Sequence, residues 1–168
     1  MQICQITGYK HSGKTTIMSA LIRYFSDKGF QVGSVKHHGH GGDPDMVEGT
    51  DSGTHLESGS VISGVQGETV TQLSLTIPLG LDGLINLYQQ WPLDLLLVEG
   101  YKQADYPKIV LLRNEADRSL LEELSAIIAV GTWDGDGRWL NDLDMPVFDM
   151  NQLEKHISAL AERIRREM

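Results

Sequence analysis

Eight residues near the start of the chain, Gly8 to Thr15, have the types and spacing that hold a polyphosphate. They read Gly-Tyr-Lys-His-Ser-Gly-Lys-Thr, a complete match to the pattern G-x-x-x-x-G-K-[ST]. The glycines let the backbone curl so that successive N–H groups point inward at an anion. Lys14 would place a positive charge on the β- and γ-phosphates, and Thr15 would offer its hydroxyl to Mg²⁺. The motif therefore predicts a site for a nucleoside triphosphate with Mg²⁺.

The segments on either side of this loop have the patterns of the strand and the helix that it requires. Residues 2–7 form a short apolar run before the loop. After the loop, apolar residues recur at helical spacing as far as Gly29, a natural helix stop. The positive amino end of that helix would add to the attraction for phosphate. We therefore expect a strand, the loop and a helix in that order.

The rest of the chain alternates apolar runs with helical patterns. The runs have the composition of buried parallel strands and lie at residues 31–36, 93–99, 108–112 and 126–131. Apolar residues recur at helical spacing in residues 81–88 and again in residues 153–164. This alternation predicts an α/β fold with a mostly parallel sheet that helices cover on both faces.

The middle of the chain breaks this alternation. Residues 37–59 are rich in His, Gly, Asp and Ser and predict a long loop, with a short helix over residues 51–58. Residues 60–77 alternate on both sides of Gly67, which predicts an antiparallel hairpin added to the sheet. Because such a hairpin leaves a strand edge unpaired, we expect a second copy of the chain to cover it, giving a homodimer.

Composition and charge limit the classes of function. The 168 residues are 40% hydrophobic, so we expect one domain, residues 1–168, with its own core. The net charge of −9 argues against a nucleic-acid partner. Cys4 is the single cysteine and cannot form a disulfide within the chain. No apolar stretch reaches the roughly 20 residues that span a bilayer, and the chain enters its first strand without a signal peptide. We therefore expect a cytoplasmic protein with no membrane partner.

Acidic residues are the candidates for holding the Mg²⁺ ion. Glu99 ends an apolar run, at the edge of an open α/β sheet that faces ligands. Asp51 lies in the long loop, where nucleotide hydrolases bring a second acid toward the metal. Asp43 and Asp45 compete with it in the same loop. We expect Thr15, Glu99 and Asp51 to bind the ion or its water ligands.

Other charged residues follow the predicted strands. Lys36 ends the second strand and would point into the same crevice as the phosphate loop. Lys102 and Lys108 either bind an anion beside that crevice or are solvated surface lysines. Asp134 follows the fifth apolar run, where guanine-binding folds place an acid that pairs with the base. The chain has no N-K-x-D motif, so the motifs alone leave the base preference open.

Three histidines follow the second strand closely, at His37, His38 and His40. Such a group can bind Zn²⁺ or Ni²⁺, approach a substrate phosphate, or consist of solvated loop residues. Their spacing lacks the regularity of a dedicated metal site, and no cysteine accompanies them. We therefore expect that they are not a dedicated metal site.

Five motifs follow one another along the chain: residues 8–16, Val35-Lys36-His37-His38, Gly49-Thr50-Asp51-Ser52, Leu97-Val98-Glu99-Gly100-Tyr101-Lys102 and Pro107-Lys108-Ile109. This ordered set resembles the MobB family of molybdopterin-guanine dinucleotide biosynthesis proteins. The resemblance extends from the first strand through residue 134, and it is much more specific than the phosphate loop, which many families share. Gly53-Thr54-His55 departs from it, because relatives tend to carry bulkier or basic residues there.

The resemblance implies a P-loop NTPase fold of the class that includes dethiobiotin synthetase and the nickel-insertion GTPases. It implies binding of GTP with Mg²⁺, weak GTP hydrolysis and a homodimer. It also implies an adapter role beside a MobA-type guanylyltransferase, which joins GMP to molybdopterin. Together with the residues discussed above, it places the nucleotide contacts at Gly8, His11, Ser12, Gly13, Lys14, Thr15, Thr16, Lys36, Lys102 and Asp134, and the metal contacts at Thr15, Asp51 and Glu99.

Two other functions remain open on the sequence. One is an ATP-dependent small-molecule ligase of the dethiobiotin synthetase type. The other is a nickel-insertion metallochaperone GTPase built around the three histidines. No catalytic residue is assigned, because no nucleophile-elbow or Cys/His arrangement is present in the sequence.

Overall fold

Two compact units make up the chain in the computed structural model, which describes residues 1–39, 42, 49–135 and 137–166. The main unit comprises Met1–His37 with Leu87–Met168, and the second unit comprises His38–Asn86. The strands are β1 (Gln2–Gly8), β2 (Val32–Lys36), β3 (Ile62–Gln66), β4 (Thr71–Leu75), β5 (Leu95–Glu99), β6 (Lys108–Leu112), β7 (Ile127–Thr132) and β8 (Val147–Asp149). The α-helices are α1 (Lys14–Asp27), α2 (Asp51–Glu57), α3 (Leu81–Tyr88), α4 (Leu120–Glu123) and α5 (Leu153–Arg166).

The strands of the main unit form one parallel sheet, in the order β2-β5-β1-β6-β7-β8. β5 and β6 are buried along their whole length. Parallel strands with both faces covered read as continuous apolar runs, which is why these two are recognisable in the sequence. The five predicted runs are confirmed as β1, β2, β5, β6 and β7.

Hydrophobic clusters cover both faces of this sheet. Ile109 and Leu111 of β6 belong to one cluster, together with Phe25 of α1 and residues of α5. Val110 and Leu112, the alternate residues of β6, belong to the other cluster, which includes α4. Successive side chains of a strand point to opposite faces, so one five-residue strand contributes to both. The α/β fold with a mostly parallel, covered sheet is therefore confirmed.

The sequence patterns do not predict β8, the edge strand beside β7. It has three residues, too few to show a period, and it directly follows Pro146. The strand conformation of β8 is stabilised by its pairing with β7, from Val130 opposite Val147 to Thr132 opposite Asp149. Across the described ranges, no helix combines the length and the apolar character needed to cross a membrane.

The second unit contains α2 and the hairpin of β3 and β4. The Thr50 side chain caps α2 by accepting a hydrogen bond from the Gly53 N–H at 3.2 Å. The Ser63 hydroxyl of β3 donates to the Ser52 carbonyl oxygen at 2.9 Å and so joins the strand to the helix. The predicted hairpin is confirmed, but as a separate two-stranded sheet, because the ladder of β3 runs to β4 and not to the parallel sheet.

Candidate phosphate-binding site

The motif at residues 8–15 forms a tight loop between β1 and α1. Gly8, His11 and Gly13 have positive φ values of 152°, 62° and 92°. A Cβ atom on Gly8 would lie 2.5 Å from the Ser12 Oγ and 2.6 Å from the Leu111 carbonyl oxygen. The first motif glycine is therefore required by both its backbone conformation and its close neighbours.

Lys14 extends back over this loop. Its Nζ donates to the Tyr9 carbonyl oxygen at 2.7 Å and to the Gly8 carbonyl oxygen at 3.2 Å. Burial lowers the pKa of Lys14 below its usual 10.5, while the negative charge of Glu99 acts in the opposite direction. An ammonium that is partly desolvated and bonded to neutral carbonyls gains from a phosphate, since charge-assisted hydrogen bonds are the stronger kind.

Thr15 and Thr16 are exposed in the first turn of α1, and Thr15 points at the end of β5. Its hydroxyl donates to the Glu99 Oε2 at 3.4 Å. The Lys36 Nζ, at the end of β2, lies 3.8 Å from the Glu99 Oε1. Because β2, β5 and β1 are neighbours, their carboxyl ends bring these three side chains together. A hydroxyl and a carboxylate are hard oxygen donors, so this pair fits Mg²⁺.

Lys102 also lies beside the loop, whereas Lys108 does not bind there. The Lys102 Nζ is 4.1 Å from the centre of the Tyr9 ring, a cation–π contact. Lys108 is fully buried at the start of β6, and its Nζ donates to the carbonyl oxygens of Ala104 and Ser125 at 2.9 and 2.7 Å. Both alternatives for Lys108 are therefore wrong: its side chain is buried rather than solvated, and its ammonium is bonded to loop backbone rather than free for an anion.

Asp51 is the first residue of α2 and is exposed in the second unit. Asp43, Asp45 and His40 lie outside the described residues. The His37 ring lies 4.6 Å from the Tyr101 ring, centre to centre. Within the described ranges, no group of three His, Cys, Asp or Glu side chains is arranged to hold a metal ion. The assignment of the three histidines stays a prediction, since one of them is not described.

Asp134 is exposed just beyond β7. Its carboxylate accepts a hydrogen bond from the Trp139 indole N–H at 3.1 Å, and its backbone N–H donates to the Thr132 Oγ1 at 3.1 Å. These bonds fix the position of the carboxylate in the turn after β7. The sheet order places β7 two strands from β1, on the side opposite to β5.

The contacts of two residues at the site, Trp133 and Gln5, are not predicted from the sequence. The Trp133 indole N–H donates to the Ser12 carbonyl oxygen in the loop at 2.8 Å. The buried Gln5 side chain donates to the carbonyl oxygens of Gly100 and Tyr101 at 3.1 and 2.8 Å, which holds the turn after Glu99. The signal available in the sequence is positional: Trp133 lies two residues after the predicted strand at residues 126–131, at the sheet edge where ligands bind.

A phosphate loop between the central β1 and α1, with an acid at the end of the adjacent β5, defines a P-loop α/β protein. The family model "Molybdopterin guanine dinucleotide synthesis protein B" (MobB) matches residues 3–133. The chain therefore belongs to the MobB family, and the resemblance read from its motifs is confirmed.

Individual relatives agree with this assignment. A Bacillus subtilis protein named "Probable molybdopterin-guanine dinucleotide biosynthesis adapter protein" is 38% identical over 129 residues, which is 76% of this chain and 75% of the relative. The Haemophilus influenzae adapter protein is 34% identical, over 88% of this chain and 81% of its own. The crystal structure of a MobB homologue from Bacillus stearothermophilus superposes with a TM-score of 0.78 at 38% identity, covering 99% of both chains.

Proposed function

We propose that this chain is a GTP-binding adapter that assists attachment of a guanine nucleotide to molybdopterin. The observation that carries the proposal is the phosphate loop, with Lys14 held over its carbonyls and Thr15 bonded to Glu99. Relatives that match most of the chain are named adapter proteins of molybdopterin-guanine dinucleotide biosynthesis. A loop of this kind suits an adapter because it can hold the guanine nucleotide that the pathway consumes.

The roles of the site residues in this proposal follow from their positions. The loop N–H groups and Lys14 hold the phosphates, and Thr15 with Glu99 holds Mg²⁺ or its water ligands. Lys36 and Lys102 add positive charge at the same edge of the sheet, and both act to lower the pKa of Lys14. Further nucleotide contacts come from His11, Ser12, Thr16 and Asp134, and the metal contact of Asp51 stays a prediction from the sequence.

We infer that hydrolysis of GTP by this chain is slow. Glu99, the acid at the phosphate loop, is engaged by Thr15 and by Lys36. Arg113 reaches the Tyr9 ring at 5.6 Å, but its guanidinium is held by the buried Asp117 through Nε and Nη2, at 2.8 and 2.6 Å. An arginine engaged in this way is not free to stabilise charge on a transferring phosphate.

Homodimerisation through the hairpin completes the proposal. Hydrogen-bonded pairs alternate along an antiparallel ladder, and the Thr76 N–H donates to the Val61 carbonyl oxygen at 3.0 Å. Leu73 and Leu75 therefore belong to non-hydrogen-bonded pairs of this ladder. The backbone N–H and C=O groups of these two residues point to the outer edge of β4. A second copy related by a two-fold axis would satisfy this edge in a self-complementary way.

The expected partners are a MobA-type guanylyltransferase and molybdopterin, in the cytoplasm.

Calorimetry with GTP and Mg²⁺ should show one site per chain. Addition of the chain to the guanylyltransferase, supplied with molybdopterin and GTP, should raise the yield of the dinucleotide, and the Lys14→Ala variant should not. A preference for ATP over GTP would favour the ligase alternative. Absence of binding to either nucleotide would overturn the proposal.

A further inference from the structure

Trp133 connects the end of β7 to the phosphate loop over a long sequence distance. Its indole N–H donates to the carbonyl oxygen of Ser12 at 2.8 Å. Ser12 itself is fully buried, so its carbonyl oxygen accepts this hydrogen bond away from solvent. A hydrogen bond made in such surroundings fixes the direction of the carbonyl, because leaving the carbonyl unpaired there would cost free energy.

The direction of that carbonyl determines the direction of the next N–H group. The Ser12 C=O and the Gly13 N–H belong to the same planar trans peptide, in which the two bonds point in opposite directions. The Gly13 N–H therefore points away from the Trp133 indole nitrogen. Gly13 donates no backbone hydrogen bond within the described chain. The Gly13 N–H is thus available to a ligand, and the hydrogen bond from Trp133 fixes the direction in which this N–H points.

Packing around Gly13 reinforces this geometry. A Cβ atom on Gly13 would lie 2.7 Å from the Trp133 Cζ2 and 3.0 Å from the Met150 Cε. The glycine, in its left-handed conformation at φ 92°, therefore fits closely against the indole ring. Steric contact and the hydrogen bond act on the same peptide, and both disfavour rotation of the loop at this point.

Trp133 is itself held from behind. Its carbonyl oxygen accepts a hydrogen bond from the Asn151 Nδ2 at 3.0 Å. Asn151 in turn donates from Nδ2 and from its backbone N–H to the Asp149 Oδ1, both at 2.8 Å. These bonds anchor the turn after β7 to the segment that leads into α5. The indole is thus a fixed support for the loop.

We propose that Trp133 is a positioning residue of the phosphate loop, which aims the Gly13 N–H at the phosphates of the nucleotide. The inference rests on the proposed function, because it requires that the loop binds a polyphosphate. It adds a residue outside the G-x-x-x-x-G-K-[ST] motif to the machinery that sets phosphate affinity. Its effect should be independent of the base, since the contact is to the loop backbone.

The test compares Trp133→Phe with the parent and with Trp91→Phe. Phenylalanine keeps an aromatic ring against Gly13 but removes the N–H donor. Trp91 is half-exposed after α3, near the start of β5 at the far edge of the sheet, and serves as the matched control. Calorimetry would measure the affinities for GTP with Mg²⁺ and for inorganic pyrophosphate with Mg²⁺, well below the unfolding temperature of each variant.

Loss of one net hydrogen bond predicts a fall of about 3- to 10-fold in Trp133→Phe. The fall should be the same for both probes, and Trp91→Phe should match the parent. A lower unfolding temperature with unchanged affinities would overturn the inference and leave a structural role only. A fall for GTP but not for pyrophosphate would also overturn it, because it would indicate contact with the base. If the parent binds neither probe, the proposed function itself fails.

Discussion

The main unit and the second unit treat their apolar side chains in opposite ways. Every residue of β5 and β6 in the main unit is buried. In the hairpin of the second unit, large apolar side chains are exposed, with Leu73 at 49% and Val70 at 69%. A sheet covered on both faces completes its own core, whereas an exposed apolar hairpin is typical of a surface that meets a partner. We therefore expect different roles for the two units: the main unit holds the proposed phosphate-binding site, and the second unit supplies the proposed dimer contact.

Their polar groups differ in the same way. Buried Gln5, Lys108 and Asp117 of the main unit each hold loop backbone or a neighbouring side chain. In the hairpin, the outer edge of β4 presents backbone groups that β3 does not use. Unpaired strand edges invite pairing with another chain. The comparison predicts that substitutions in the hairpin weaken dimerisation, so their effects depend on protein concentration. Substitutions in the main unit should have effects that do not depend on it.

The largest expected effect comes from Leu73→Pro. Proline removes the outward N–H of β4 without touching the ladder to β3, because Leu73 belongs to a non-hydrogen-bonded pair. The loss is about 2 kcal/mol for each copy, hence about 4 kcal/mol for a symmetric pair, roughly 1,000-fold in the dissociation constant. Light scattering at micromolar concentration should show a dimer for the parent and a monomer for the variant.

The control for this experiment is Leu73→Ala, which retains the N–H and removes only the side chain. It should weaken the dimer less than proline does. A monomeric parent would contradict the assembly role of the second unit. The nucleotide-binding proposal for the main unit would be unaffected by that result.

Lys14→Ala should have the next largest effect, in the main unit. The ammonium would lose its charge-assisted contact with the phosphates, worth about 1.5–3 kcal/mol or roughly 10- to 150-fold in affinity. Lys10→Ala is the matched control, because Lys10 is exposed in the same loop. Calorimetric titration with GTP and Mg²⁺ measures both variants. Equal affinity of Lys14→Ala and the parent would remove Lys14 from the site.

The phosphate loop and the main strands are predictable from the sequence because their signals are local. The loop is a contiguous motif, and β5 and β6 are uninterrupted apolar runs. The hairpin is similarly local, because its alternation and its turn lie within residues 60–77. What the sequence does not indicate is that the hairpin stands as a separate sheet, since strand partners are chosen by tertiary contacts.

The remaining parts of the site depend on contacts between distant residues. Trp133 and Ser12 are 121 positions apart, and Gln5 and Tyr101 are 96 apart. The prediction for Lys108 fails because a lysine at the start of a strand is ordinarily exposed. Here the side chain is buried, and two loop carbonyl oxygens accept hydrogen bonds from its ammonium group. Sequence spacing carries no information on such pairs until the sheet order is known.

Asp117→Asn should lower the stability of the main unit independently of protein concentration. Hydrogen bonds from Arg113 lower the pKa of the buried Asp117 below its usual 3.8. A carboxyl group with a lowered pKa in the folded state contributes stability above its unfolded pKa and loses it as the pH falls through the folded value. The parent should therefore lose stability below about pH 3.8, and the variant should lack this part of the acid dependence.

Denaturant unfolding at neutral pH should show a loss of about 2 kcal/mol for Asp117→Asn, the contribution of hydrogen bonds to a charged group. Asp142→Asn is the control, because Asp142 pairs with Arg118 at an exposed position. Its effect should be much smaller. Equal effects of the two substitutions would show that burial of Asp117 does not strengthen its pairing with Arg113.

The smallest effects expected are those of Glu99→Gln and Asp51→Asn on the Mg²⁺ dependence of GTP binding, roughly 3- to 10-fold each if every lost metal contact acts like one hydrogen bond. Glu99 lies in the main unit beside Thr15, and Asp51 begins α2 in the second unit. Mg²⁺ titrations at fixed GTP compare the two with the parent, and Asp94→Asn at the opposite end of β5 is the control. If Glu99→Gln shifts the curve and Asp51→Asn does not, the main unit holds the metal alone. If both shift, the sequence prediction that Asp51 acts on the metal is supported, and the metal dependence is not a property of the main unit alone.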